Sequence, residues 1–274
     1  MWKFYFKLES LTARGMSCKE YPVLIQAGDY KLSGFIHKPS DNSPIVVFFH
    51  GFTGHKIENG RLYVRIACRL CERGIGSLRF DFRGHSESLL PFEDFKLDYA
   101  LEDAEKVIEY IRKELNKDFD TIRLGVLGLS MGGAVAIHIA SKDPNVKALA
   151  LLSPAINFRE IIARQAAVCR VESEFFHWGP FRIRTKCLKS FNIDFTSEAK
   201  RISAPVLIIH AIDDETVPFK QSETFYEKLP GKKKFVKIDR GGHVFYTYES
   251  RIRVIKEIVE WFSINFNKGY NENS

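Results

Sequence analysis

The stretch RLGVLGLSMGGAVAIHIA, Arg123 to Ala140, decides the fold. It opens as an apolar run with the character of a buried strand, breaks at Gly128-Leu129-Ser130-Met131-Gly132, and resumes as an apolar helix. A serine between two glycines at such a junction is either a close-packed crossing with an idle hydroxyl or a nucleophile held on a sharp turn. In the second case the flanking glycines remove Cβ clashes where strand and helix approach. The helix that follows would aim its first amides at charge developing on a bound substrate.

Outward from this junction the same alternation repeats. PIVVFFHG (Pro44–Gly51), IGSLRFDF (Ile75–Phe82), TIRLGVLGL (Thr121–Leu129), VKALALLSP (Val146–Pro154) and APVLIIHA (Ala204–Ala211) are strands apolar throughout. Helical patterns separate them, from Asn59 to Arg73, Phe95 to Lys117, Ser130 onward and Tyr248 to Phe266. Strands apolar on both faces and separated by helices predict a doubly wound α/β domain with a mostly parallel central sheet and helices on both faces. YPVLIQAG and YKLSGFIHK, either side of the Gly28-Asp29 turn, predict an antiparallel hairpin ahead of it. From about 155 to 203 the alternation fails, and this segment reads as an insertion between two sheet strands. The domain is expected over 18–274, with 1–17 an N-terminal extension and Met16 an alternative start.

The bulk properties bound the function. With 274 residues, 45% hydrophobic and 27% charged, the chain is an ordinary globular protein able to bury a large core. A net charge of +7 without a basic run interleaved by aromatics argues against nucleic acid as partner. No apolar stretch reaches the roughly 18 residues of a membrane helix, and Lys3, Lys7 and Glu9 interrupt any signal-peptide core. Five cysteines, without paired zinc or disulfide-scaffold spacing, favour a reducing compartment, and the expected location is the cytoplasm. Cys68 and Cys71 form a CxxC, but inside a helical pattern rather than at a helix start. A homodimer is compatible with the sequence.

A serine needs a base to take its proton and an acid to orient that base. IIHAIDDETVP puts Asp213 and Asp214 at the end of a strand, and IDRGGHVFY puts His243 after the last strand. The chain order Ser, Asp, His is the one expected of a nucleophile-elbow enzyme. His138, in an apolar helix, reads as core, and His177 falls in the insertion. His50 and His55 lack a third ligand, so no metal and no cofactor are expected. Arg83, Gly84 and His85 read as structural support. The residues alone leave Asp213 and Asp214 open.

GLSMG around Ser130, HGFTGHK (His50–Lys56), DFRGHSES (Asp81–Ser88), DDETVP and GGH together resemble the α/β-hydrolase superfamily, and within it the cinnamoyl (feruloyl) esterase group. The resemblance implies an α/β-hydrolase fold with an inserted lid subdomain, and it selects Asp214 as the acid. It also implies an oxyanion hole of the Phe52 and Met131 amides. The expectation is then a serine carboxylesterase with the catalytic residues Ser130, Asp214 and His243, acting on short-chain or aromatic small-molecule esters. Phe176, Trp178 and Phe181 of the insertion would contact substrate, with Arg182, Arg184 and Lys186 attracting an anionic moiety; the alternative is that these aromatics form the insertion's own core. Monoacylglycerol lipase, thioesterase or acyltransferase chemistry remains open, as does a ligand-binding receptor that retains the triad.

Overall fold

The computed structural model describes residues 18–167 and 169–266. The N-terminal extension and Met16 lie outside the described residues. Ten strands and six α-helices follow one another as β1 (Lys19–Ala27), β2 (Tyr30–Lys38), β3 (Ser43–Phe49), α1 (Leu62–Cys71), β4 (Gly76–Phe80), α2 (Leu97–Glu114), β5 (Phe119–Leu129), α3 (Met131–Lys142) and β6 (Val146–Leu152). After these come α4 (Phe158–Ala166), β7 (Phe175–Trp178), β8 (Phe181–Arg184), β9 (Val206–Ala211), α5 (Phe219–Lys228), β10 (Lys233–Ile238) and α6 (Tyr248–Phe266).

Eight strands form one sheet in the order β1-β2-β4-β3-β5-β6-β9-β10. The β1–β2 and β2–β4 pairs are antiparallel, and every pairing from β4 onward is parallel. This is the α/β-hydrolase fold. The apolar runs explain it: all seven residues of β3 and all five of β4 are buried, because helices cover both faces. On one face α2, α3 and α5 pack over Ile45, Val47, Val126 and Leu149; on the other α1 and α6 pack over Val46, Phe48, Leu127 and Leu207. Alternate residues of one strand thus feed different cores, as the period of two requires. In α1 the buried set Leu62, Tyr63, Ile66, Ala67, Leu70 and Cys71 falls on one stripe of the helix. Each fully buried large side chain of this kind contributes about 1.5–3 kcal/mol.

The segment between β6 and β9 carries α4, the two-stranded β7–β8 hairpin and two 3-10 turns, all on the side of the sheet where β5 and β6 end. Gln221 of α5 fastens its start, with Oε1 accepting the Ile156 and Asn157 amides at 3.1 and 2.9 Å.

Three expectations are corrected. Cys18 and Cys71 form a disulfide, so the cysteines are not all unpaired. It ties the start of β1 to the end of α1 across 53 positions, a closure worth about 4 kcal/mol through the unfolded chain. His138 is not a core residue; it is partly exposed, and Nε2 lies 3.2 Å from Glu105 Oε1. The expected irregular insertion contains a regular hairpin turning at Gly179-Pro180. Among the described residues no helix is long and apolar enough to cross a membrane.

Candidate active site

Ser130 sits between the last residue of β5 and the first of α3 with φ 54° and ψ −117°, a conformation that L-residues rarely adopt. Neighbouring backbone leaves no alternative. A Cβ on Gly132 would lie 1.9 Å from the Phe49 carbonyl oxygen, and one on Gly128 would lie 2.1 Å from that of Gly132. Strand β3, the turn and α3 are therefore in backbone contact. The Ser130 carbonyl closes the turn by accepting the Gly133 and Ala155 amides at 2.9 and 3.0 Å.

His243 enters from the loop after β10. Its Nε2 is 2.8 Å from Ser130 Oγ and its Nδ1 is 2.8 Å from Asp214 Oδ2. A carboxylate only accepts, so Nδ1 carries the hydrogen and Nε2 is left to accept from the serine hydroxyl. Asp214 is buried and held on both oxygens. Oδ1 accepts the Thr216 and Val217 amides at 2.9 Å each, and Oδ2 also accepts from His210 Nε2 at 3.0 Å. Burial raises its pKa, but the hydrogen bonds from His210 and His243 outweigh that and hold the carboxyl well below the usual range. His210 is fully buried and is itself fixed by the Ser222 hydroxyl on Nδ1 at 2.7 Å.

Asp213, the other candidate acid, faces elsewhere. Its Oδ1 accepts the Gly241 and Gly242 amides at 2.9 and 2.8 Å, and Oδ2 accepts from Tyr246. It staples the loop that carries His243.

The loop after β3 brings Phe52 beside Ser130. His50 is completely buried; its Nδ1–H donates to the Gly51 carbonyl at 2.8 Å and its Nε2 accepts the Phe82 amide at 3.0 Å. Burial lowers its pKa to about 3, so the ring is neutral and both nitrogens are spoken for. His55 Nδ1 is engaged separately by the Ile57 and Glu58 amides. Glu58, missed in the sequence, is buried with φ 59° and accepts the Gly51 amide at 2.7 Å, which locks the turn preceding Phe52. Burial pushes its carboxyl up, partly offset by the Gly51 and Asn59 amides. Met131, first residue of α3, contributes one of the helix's orphan N–H groups to the same place. Arg83 is committed to Asp103, through its backbone amide and Nε at 2.8 Å each, and lies over the Tyr30 and Tyr99 rings.

Two cavities meet at Ser130. One is walled by Phe52, Met131, Phe158, Phe176, Trp178 and Phe191 together with aliphatic residues, with Thr216 and Ser130 the polar members. The other is more polar and is bounded by Thr53, His55, Glu58, Asn59 and His243. Phe176 and Trp178 are thus brought to the site. Phe181 is not; it is more than a third exposed and packs on Phe92. Arg182 and Arg184 turn away to Glu93 and Asp94. Phe158 and Phe191 were not singled out in the sequence, where nothing distinguished them from core.

The structure of Est1E from Butyrivibrio proteoclasticus, solved with ferulic acid bound, is similar at a TM-score of 0.79 and 26% identity, over 89% of this chain and 98% of that one. The Pyrococcus furiosus esterase Pf2001 shares the fold at a TM-score of 0.72 and 21% identity, covering 92% of this chain and 95% of its own. The uncharacterized protein YqkD of Bacillus subtilis (strain 168) is 25% identical over 253 residues, 89% of this chain and 79% of the relative. The sequence profile of the family serine aminopeptidase, S33, matches residues 40–190, over half of the chain. The chain belongs to that family, as an enzyme of the serine-hydrolase type on the α/β-hydrolase fold.

Proposed function

We propose that the protein is a carboxylester hydrolase acting through an acyl-enzyme on short-chain or aromatic, cinnamoyl-type esters. The observation that carries this reading is the His243 ring, set between Ser130 Oγ and Asp214 Oδ2 at 2.8 Å each, with Ser130 itself lining an aromatic-walled cavity. Ser130 attacks the ester carbonyl while His243 Nε2 takes its proton, and Asp214 stabilises the imidazolium. The Phe52 and Met131 amides receive the charge on the carbonyl oxygen. His243 returns the proton to the departing alcohol, and water repeats the sequence to release the acid.

The segment from about 155 to 203 acts as a lid whose aromatic side chains hold the acyl group, and the polar cavity takes the alcohol. The family's description names an aminopeptidase, which must hold a substrate ammonium. The apolar cavity has no carboxylate in its lining, which favours an uncharged acyl group. A planar aromatic acid such as the ferulate bound by Est1E suits rings presented edge and face.

The test compares wild type with Ser130→Ala on p-nitrophenyl esters from acetate to palmitate and on methyl ferulate. The expected result is hydrolysis of ferulate and short esters by wild type alone. Turnover by the alanine variant would overturn the nucleophile. A preference for palmitate would replace the reading by a lipase, and binding without turnover by a receptor.

A further inference from the structure

Away from both cavities at Ser130, a second cluster of chemically capable side chains lies between α1 and the antiparallel edge of the sheet. Glu20 of β1 stands directly opposite His37 of β2, which in turn stands opposite Ser77 of β4. The period of two along a strand puts Cys18 on the same side as Glu20. The Cys18 sulfur, a Glu20 carboxylate oxygen and a His37 ring nitrogen all lie within 4.8 Å of one another. Cys71, at the end of α1, is bonded to Cys18, with the two Cα atoms 6.1 Å apart.

A second observation points to a ligand there. His37 is completely buried, yet among the described residues neither ring nitrogen makes a hydrogen bond; Glu20 Oε1 lies 3.4 Å from Nδ1. The Ser77 hydroxyl beside it is also buried without a partner. A buried imidazole in that condition is uncommon and calls for a group to bind it.

We propose that these residues form a zinc site gated by the disulfide: when a dithiol reduces Cys18–Cys71, the two released thiolates, His37 and Glu20 close around one zinc ion. The dithiol supplies two electrons and two protons, its own sulfurs join, and the Cys18–Cys71 bond opens to two thiols. Each thiol then loses its proton to solvent on binding the cation. Tetrahedral zinc places its donors about 3.3–3.8 Å apart, so Cys18, Glu20 and His37 need only small shifts, while the Cys71 sulfur must swing away from Cys18 once the bond opens. Two thiolates and an imidazole suit zinc and not magnesium or calcium. A reducing compartment would open the site, and an oxidising one would keep it bridged.

The experiment uses the full chain, oxidised or reduced with a water-soluble phosphine, titrated with zinc by calorimetry and with cobalt(II) by absorption. The reduced wild type should take up about one equivalent and show thiolate-to-cobalt charge transfer, while the oxidised protein shows neither. His37→Gln, which keeps both cysteines, should weaken zinc binding at least tenfold, and Cys18→Ser, which leaves one thiolate, should reduce the charge-transfer band by half or more while p-nitrophenyl acetate hydrolysis stays at the wild-type rate. Failure of the reduced wild type to bind, equal binding by the oxidised protein, or wild-type affinity in both variants would each overturn the site.

Discussion

Asp213 and Asp214 are neighbours in the chain, and their carboxylates address the same histidine loop in different ways. Asp213 holds the backbone at Gly241 and Gly242, and Asp214 meets the ring of His243. Asp214→Asn should therefore lower kcat by about 10⁴, because the amide can favour the wrong tautomer of the ring. Asp213→Asn should cost less than tenfold in kcat and show mainly as a lower melting temperature. Steady-state kinetics beside thermal unfolding separate the two; equal loss of kcat would mean the roles are shared.

Acid stability follows from the depressed pKa of Asp214. Because the folded value lies below the unfolded value, the contribution is complete above the unfolded pKa of about 3.9 and disappears as pH falls through the folded value. Urea unfolding should find Asp214→Asn less stable than wild type by about 2 kcal/mol at pH 7, with the gap narrowing progressively as pH falls below about 4. A gap that stays constant with pH would contradict the ionised, doubly bonded carboxylate.

In the proposed mechanism Glu58, by accepting the Gly51 amide, positions the Phe52 amide. Glu58→Ala leaves the Gly51 N–H without an acceptor, at about 1–3 kcal/mol, and should reduce kcat about 10²-fold with little change in KM. Glu58→Gln keeps an acceptor oxygen and should recover most of the rate. If Gln and Ala lose activity equally, the role depends on charge and not on holding the loop.

Gly132→Ala puts a methyl group 1.9 Å from the Phe49 carbonyl oxygen, where both atoms belong to backbone. The expected cost exceeds about 3 kcal/mol. Loss of soluble expression or a large fall in the urea midpoint would show it, and an unchanged midpoint would refute the close approach.

Trp178→Ala removes an aromatic wall from the acyl cavity and should raise KM for methyl ferulate several-fold while sparing p-nitrophenyl acetate. Phe181→Ala, on the outer side of the hairpin, should leave both values within twofold. The contrast between the two variants is the measurement that matters.

The central sheet was legible because its inner strands are buried on both faces, so their sequences are mostly apolar, with only isolated polar residues such as Arg79 in β4 and His210 in β9. Ser130, the Asp213-Asp214 pair and His243 stood out because each lies where a strand ends, beside glycines or turn residues, and only the family resemblance selected Asp214 within the pair. Glu58 did not, since an acid among Gly54, His55, Lys56 and Asn59 looks like a solvated turn, and only the fold buries it. The Cys18–Cys71 pair was hidden for a similar reason, being a contact between strand and helix that no local period encodes. The β7–β8 hairpin was different: Gly179-Pro180 between FHW and FRIR was a turn signal, lost among the mixed aromatic and basic residues around it.

The segment bearing α4, β7 and β8 leaves the sheet at Leu152 and returns at Val206, and β6 and β9 are adjacent strands. The two strands are parallel, Val206 standing opposite Leu149, so both ends of the segment are anchored in neighbouring strands of a frame that already fixes Ser130 and Asp214. Such a segment can be exchanged as a cassette, so the breadth of substrates reachable by grafting is set by the graft's inner surface, with the reacting atoms left where they are.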